Sequence, residues 1–554
     1  MFQETSGSSK SRSRSPDLQI ADLRESVLVL NSQKDDHAPI SRLPVEIVIE
    51  IFLLHRKNMM RKCGLQTIDW IGITHVSRLW REIALNCSGL WISIPFHKPK
   101  WAEEMIARSR HACPIVIAAY DPLEDLEGAL LLRRFLQQHL SRVQVLKIDI
   151  RPHLLEQLFR DIQPTPVPYL STLILSTKKS ATGSSPVFDW LQIMDSRLLN
   201  TNSLRKVQAP TSQRWDLGLF SGLTHLVLGV HHGEIIEMPR TQASQSDFLD
   251  ALRRMPTIQC LVLKGNTVPE ATDGSPQLEP VHLRNLEKIT VCDTSVDVVG
   301  FLFGHVIFPG NTRIIVHCKY PNPVSRFEKI SSALAPLKKL LADRPTPMKF
   351  RHIKCSCFES YRTNLTHQAD LVVEGYVSSE CPSWNDDGQN LRPDFRFFFA
   401  CNWDPNVPID VDRLGSEFFG IFPQDDVVSI FLSSNNSIIP FKLLARKAAQ
   451  FPALENISLK SISPAPFLVE LNCEEDPSAT NAPYPALRYV DIINCPCDLN
   501  LTVLYKYLKE RSERGLGPGK LRMHLCPSKS IDEMVAALLE KVVEVVWVEN
   551  TAYQ

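Results

Sequence analysis

The chain has 554 residues, and 61 Lys plus Arg stand against 61 Asp plus Glu, for a formal net charge of zero. At about 150 residues per domain this length exceeds a single ordinary domain, and 44% hydrophobic with 22% charged residues excludes wholesale disorder. A neutral chain carries no overall field towards nucleic acid or an anionic membrane, so neither is expected as a partner.

Residues 1–16 open the chain as a Ser-, Lys- and Arg-rich stretch with almost nothing aliphatic to bury, which predicts a disordered tail. It lacks the apolar core of a secretory signal. The most apolar runs, near Ile47–Leu54 and Val296–Phe308, are interrupted by Glu50, Asp297 and His305 and fall short of the ~20 residues of a membrane span. The expected setting is therefore cytoplasmic or nuclear, with the 14 cysteines reduced. In residues 17–39, Leu18, Leu23, Val27 and Leu30 mark one apolar stripe of a short helix, suited to packing on the next domain.

Residues 40–95 are the most informative. Ser41-Arg42-Leu43-Pro44-Val45-Glu46 reads as a helix start, because Pro is tolerated in the first turn and Glu46 suits the positive end of the helix dipole. Ile47, Val48, Ile51 and Phe52 are expected to line one side of that helix, and a second helical stretch carries Ile71, Val76, Trp80, Ile83 and Ala84. Some 50 residues with such wide apolar faces make little core alone, which points to a partner surface.

The ordered set Leu43-Pro44-Val45-Glu46-Ile47, Ile51-Phe52, Val76-Ser77-Arg78-Leu79-Trp80-Arg81-Glu82-Ile83-Ala84 and Leu90-Trp91 resembles the F-box, in the form common in basidiomycete fungal proteins. The connection His55–Asp69 departs from it in being longer and more basic. The resemblance implies a helical module that docks on the Skp1-type adaptor of a cullin-RING ubiquitin ligase. It would place Leu43, Pro44, Ile47, Ile51 and Phe52 at the adaptor, with Val76, Trp80 and Trp91 supporting the contact.

From Val143 onward an apolar-x-x-apolar-x-apolar pattern recurs. Its copies are Leu170-Leu173-Leu175, Leu223-Leu226-Leu228, Ile258-Leu261-Leu263, Leu286-Ile289-Val291, Leu454-Ile457-Leu459 and Leu487-Val490-Ile492. Weaker copies lie at Val143-Leu146-Ile148, Leu204-Val207-Ala209, Ile314-Val316 and Val428-Ile430-Leu432. Alternation within each copy has the period of a strand, and helical stretches such as Phe248–Met255 and Ser331–Leu341 lie between copies. A strand plus a helix cannot bury its apolar face alone, so neighbours must stack. The series resembles a degenerate leucine-rich repeat array. The fold class expected is α/β: a short N-terminal helical F-box followed, over residues 96–554, by a leucine-rich-repeat-like solenoid of strands and helices. Residues 355–424 break the pattern and read as irregular repeats or an inserted lobe.

No constellation argues for catalysis or a cofactor. Cys355-Ser356-Cys357 with His352, and Cys495-Pro496-Cys497 with Cys473, lack the two-to-four-residue spacing of zinc knuckles. His231 and His232 are adjacent and diverge on a strand. Asp404, Asp410 and Asp412 lack the glycine and distant Glu of a calcium loop and read as turn and strand-end residues. In Gly515-Leu516-Gly517-Pro518-Gly519-Lys520 no Ser or Thr follows the lysine, and Pro518 removes a backbone donor, so it reads as a turn after a helix.

Taken together, the expected function is that of a non-enzymatic substrate-recognition subunit, which binds the adaptor, and through it a cullin, by the F-box and a target protein by the repeats. The alternative is a repeat scaffold that does not support ubiquitination. The inward Leu pairs send their neighbours His225, Lys264, Lys288, Thr290, Arg313, His317, Lys460 and Tyr489 to the outer strand face as substrate-binding candidates. Their basic character points to an acidic or phosphorylated segment of the target.

Overall fold

The structure is a computed structural model that describes residues 17, 19–27, 39–64, 67–110, 113–119, 126–150, 158–160, 162–177, 190–210, 214–229, 243–269, 278–320, 327–342, 348–363, 366–380, 392–403, 411–435, 441–471, 484–493, 501–516, 519–525 and 533–549. The predicted tail, the His231-His232 pair, Cys473, Cys495, Cys497, Asp404 and Asp410 lie outside the described residues. The fold is mixed α/β, with helices and a large, mostly parallel sheet. No described helix is long and apolar enough to cross a membrane. The chain divides into two compact units, Met1–Leu173 with Arg197–Ser203, and Ile174–Ser196 with Leu204–Gln554.

In the first unit residues 19–27 are helical, but Ile20, Leu23 and Val27 are all exposed. Of the stripe expected to pack on the next domain, Leu23 and Val27 are thus exposed, and Leu18 and Leu30 lie outside the described residues. Helix α1 (Val45–Cys63) begins after Pro44 and carries Glu46 in its first turn. Its inner stripe is Val48, Phe52 and Arg56, spaced four apart, and it packs on a 3₁₀ segment (Asp69–His75) and on α2 (Arg78–Asn86). Ser77 caps α2, accepting a hydrogen bond from the Trp80 amide at 3.2 Å. A further 3₁₀ turn, Ser88–Trp91, leads into β1 (Ser93–Pro95). Beyond α3 (Pro99–Arg108), β2 (Ile115–Ala119) lies parallel to β1, with Ile94 opposite Ile117. Helix α4 (Leu126–His139) precedes β3 (Val143–Ile150), which is parallel to β2.

The boundary between the units falls within β4 (Thr172–Thr177), whose Leu173 and Leu175 are buried. The second unit continues with β5 (Lys206–Ala209), β6 (His225–Leu228), β7 (Cys260–Lys264), β8 (Lys288–Thr294) and β9 (Arg313–Tyr320) as parallel neighbours. Their register is constant up to Cys292, after which Asp293 shifts β8 against β9. Leu226, Leu261, Ile289 and Ile314 form one cross-strand row, and Leu228, Leu263, Val291 and Val316 a second. All eight are essentially fully buried. This repetition is why each copy needs the same apolar pair: a polar residue at any of these places would face the core without a partner.

The intervening helices have local causes. Ser244 and Asp247 form a reciprocal capping box at the start of Gln245–Arg253, and Ser295 caps Val296–His305. Strands β6, β7 and Asn456–Lys460 run into residues with positive φ, namely Gly229, Gly265 and Ser461, and β8 has one near its end, Asp293. At Gly229 a Cβ would stand 2.4 Å from the Lys264 carbonyl oxygen, so only glycine fits there.

The irregular region near 355–424 joins the same sheet. Strands β10 (His352–Thr363), β11 (Thr366–Tyr376) and β12 (Phe395–Trp403) form an antiparallel meander, with β12 parallel to β9 and β10 parallel to β13 (Ser429–Ser434). Among the described strands of this sheet, only β11 is antiparallel to its neighbours. Parallel pairing then resumes through β14 (Asn456–Lys460), β15 (Tyr489–Ile493), β16 (Lys520–Leu525) and β17 (Glu544–Glu549). The glycine-bearing segment near 515 closes the helix Leu501–Glu513. Gly515 takes φ +73° and the Leu516 amide returns to the Arg511 carbonyl at 2.9 Å.

Candidate functional site

Two surfaces carry the residues singled out by sequence, one in each unit. In the first unit, α1 has two apolar stripes. Val48 and Phe52 enter the core, where the Phe52 ring meets Trp80 edge-on at 4.9 Å. About 100° round the helix, Ile47, Ile51 and Leu54 form a second row at spacings of four and three. They are 48%, 37% and 56% exposed. Leu43 and Val45 at the helix entrance, and Val76 and Leu79 on the elements packed against α1, are also exposed.

The structure thus sorts the expected adaptor residues into two groups. Leu43, Pro44, Ile47, Ile51 and Val76 are exposed, and Trp80 is half-buried. Phe52, expected at the surface, is fully buried and cannot meet a partner without unfolding the module. Trp91 is likewise core. Its ring meets Trp70 at 5.2 Å, and its Nε1 donates to the Ala84 carbonyl at 2.9 Å. Leu54 and Leu79 were missed. The visible signal was that α1 is apolar over more of its circumference than one buried stripe requires.

Behind this face, Arg56 is buried and donates to the Ser93 hydroxyl at 2.5 Å and to the Gly89 carbonyl at 3.4 Å. Burial pushes its pKa down to about 10, and no carboxylate among the described residues pairs with it. It ties α1 to the following turn and to β1.

In the second unit the site is the strand face opposite the Leu rows. His225, Lys264, Lys288, Arg313, His317 and Lys460 are half-buried there, and Tyr489 is exposed. Thr290 departs from expectation: it is only 8% exposed, because Val262 and Ile315 flank it on the neighbouring strands. Register places His225, Cys260, Lys288 and Arg313 in one row, and Lys264, Cys292 and His317 in another. Cys260 sits beside Lys288 and Lys206, yet burial dominates and pushes its thiol pKa up. Lys460 and Tyr489 lie beyond the meander and do not join this group.

Between the two groups stands an ionic cluster that sequence reasoning did not find. Glu374 is buried on β11, with Arg396 Nε at 3.3 Å and Lys354 Nζ at 3.8 Å, and it accepts a hydrogen bond from the Tyr376 hydroxyl at 3.1 Å. Lys354 also stands 5.8 Å from the Phe431 ring centroid. On the same face His352 Nδ1 lies 2.6 Å from the Ser429 hydroxyl, and the Ser433 hydroxyl donates to Ser356 at 2.7 Å. Both Ser429 and His352 are buried. Cys355 and Cys357 point to the opposite side of β10 from His352 and are buried, with burial raising the Cys355 thiol well above its usual range. Among the described residues no group of three or more His, Cys, Asp and Glu is placed to hold a metal ion. Asp412, expected in a turn or at a strand end, starts the helix Val411–Phe419, and its carboxylate accepts from the Leu443 and Leu444 amides at 2.8 and 3.0 Å.

No protein-family model matches the chain, and a search of curated proteins gives no significant match.

Proposed function

We propose that the chain is a non-enzymatic substrate receptor of a Skp1–cullin–F-box type ubiquitin ligase. In this reading the helical module around α1 and α2 docks on the adaptor, and the outer strand face of the leucine-rich-repeat-like second unit holds the target protein. The observation that carries it is the second apolar row of α1, Ile47, Ile51 and Leu54, exposed beside Leu43, Val76 and Leu79 on a module whose core is already closed by Phe52, Trp70 and Trp91. An apolar surface of this extent is favourable only when covered. The chain supplies no chemistry: catalysis would come from holding target and ubiquitin carrier close together.

The test is co-purification of the full chain, and of an Ile47→Asp/Ile51→Asp variant, with a Skp1-type adaptor and a cullin. Adaptor and cullin are expected with the parental chain and absent from the variant. Adaptor without cullin would favour a scaffold that does not support ubiquitination, and neither protein with the parental chain would sink the assignment.

A further inference from the structure

The outer face of β6 to β9 has an order that its net charge alone does not convey. Its central row is Val227, Val262, Thr290 and Ile315, each beside the next on adjacent strands. One row nearer the strand starts are His225, Cys260, Lys288 and Arg313, and one row nearer the strand ends are Lys264, Cys292 and His317. The apolar row therefore crosses the strands with cations on both flanks. It ends at Arg396, opposite Ile315 on β12, whose charge is already engaged by Glu374.

The spacing says what fits. Rows two residues apart on a strand lie about 7 Å apart, so the flanking rows are separated by about 13 Å. A helix with its side chains is about 10–12 Å across. Four strand spacings of about 4.8 Å, from Val227 to Arg396, give a floor of about 19 Å, or about 13 residues of helix. A single phosphate requires donors converging on one point, whereas Lys264 and Lys288 stand in opposite flanking rows. Neither lysine has an ion-pair partner among the described residues. A helix with one apolar stripe and acidic residues on both borders satisfies all of these at once.

We infer that this face binds an acidic amphipathic helix of the target protein, laid across the strands, with its apolar stripe on Val227, Val262 and Ile315 and its carboxylates at Lys264, Lys288 and Arg313. The inference rests on the reading of the strand face as the target surface. Charge complementarity supplies direction as well as attraction, since both borders must be acidic.

The experiment is fluorescence anisotropy with the purified full chain and labelled peptides of about 16 residues. One peptide carries Leu at i, i+3, i+4 and i+7 bordered by Glu, a second has the same composition with Leu at alternate positions, a third replaces Glu by Lys, and a fourth is an extended phosphoserine peptide. The first should bind roughly tenfold or more tightly than the others, and should lose roughly tenfold in a Lys264→Ser/Lys288→Ser/Arg313→Ser variant and in high salt. These three side chains are half-exposed, so the variant should melt as the parental chain does, and Lys288→Glu alone should weaken binding in the same direction. Absence of binding, equal binding of the rearranged peptide, tighter binding of the phosphoserine peptide or indifference to the triple change would each overturn the proposal. No adaptor enters the assay. A chain that fails here but co-purifies with the adaptor loses only the acidic helix, whereas one that binds the peptide but no adaptor loses the receptor assignment.

Discussion

Helix α1 offers a contrast between two stripes one residue apart, and the two should respond oppositely to substitution. Ile47 and Ile51 are 48% and 37% exposed, so Ile47→Asp with Ile51→Asp should cost the folded chain no more than about 1 kcal/mol. Position 47 is the third residue of the helix, where a carboxylate meets the positive end of the dipole, which offsets part of that. In a complex the same carboxylates would be desolvated without partners at several kcal/mol each, a loss of over about a hundredfold in affinity. Phe52 is fully buried with its ring 4.9 Å from that of Trp80, so Phe52→Ala should remove about 3–5 kcal/mol of stability and lower the melting temperature by about 10 °C. Thermal melts followed by circular dichroism, together with calorimetric titration of a Skp1-type adaptor, separate the effects. A folded double-Asp variant that titrates the adaptor with parental affinity would refute the docking argument. A Phe52→Ala chain that melts with the parental one would refute the packing argument.

Gly229→Ala should destabilise the second unit by at least about 2 kcal/mol, since it combines positive φ with a Cβ 2.4 Å from the Lys264 carbonyl oxygen; an unchanged urea midpoint would contradict this. Asp412→Ala should cost about 0.5–2 kcal/mol by removing the acceptor for the Leu443 and Leu444 amides, visible as a lower denaturation midpoint with an unaltered far-ultraviolet spectrum. Burial, assisted by Arg351, holds His352 below its usual 6.5, so the folded chain binds fewer protons there than the unfolded one. The stability this contributes is complete above pH 6.5 and lost as pH falls through the lowered value. Urea midpoints from pH 7.5 to about 5 should fall less steeply in His352→Gln, and parallel curves would count against it.

Strand copies could be read from the sequence because in-register parallel stacking makes the same demand at every copy: Leu226, Leu261, Ile289 and Ile314 share one row and must all be apolar. A further recurring position escaped notice. The first apolar residue of several copies donates its amide to the carbonyl three residues earlier, as in Ile258 to Met255, Leu286 to Leu283, Leu454 to Phe451 and Leu487 to Tyr484. Those earlier residues are buried too, so the copy begins one turn sooner than the strand period reveals. Strand direction was not legible, because alternation from Leu371 to Tyr376 has the same period whichever way β11 runs. The Arg396–Glu374–Lys354 cluster was hidden for a related reason. Its members come from three strands, and only the meander's register brings positions 354, 374 and 396 side by side. On α1 the helical period was plain, but it does not say which of two adjacent apolar stripes turns inward; that depended on where Trp70, Trp80 and Trp91 lie.

The meander changes how the strand face can be used. From β9 to β14 the sheet passes through β12, β11, β10 and β13, five strand spacings or about 24 Å at about 4.8 Å each. Lys460 and Tyr489 therefore stand too far from Lys288 and Arg313 to share one short ligand with them, although the sequence places them in equivalent positions. The charges also differ on the two sides. Beyond the meander Lys520 is paired with Glu544 at 2.7 Å, and Asp491 faces His524 at 3.4 Å, each across adjoining strands. On β6 to β9 Lys264 and Lys288 have no such matches among the described residues. The buried Glu374 engages Arg396 and Lys354, and so closes the cationic stretch at β12 instead of extending it. In the proposed reading the acidic ligand is held by the strands before the meander, where Lys264, Lys288 and Arg313 stand, and the strands after it would engage a target through Lys460 and the exposed Tyr489.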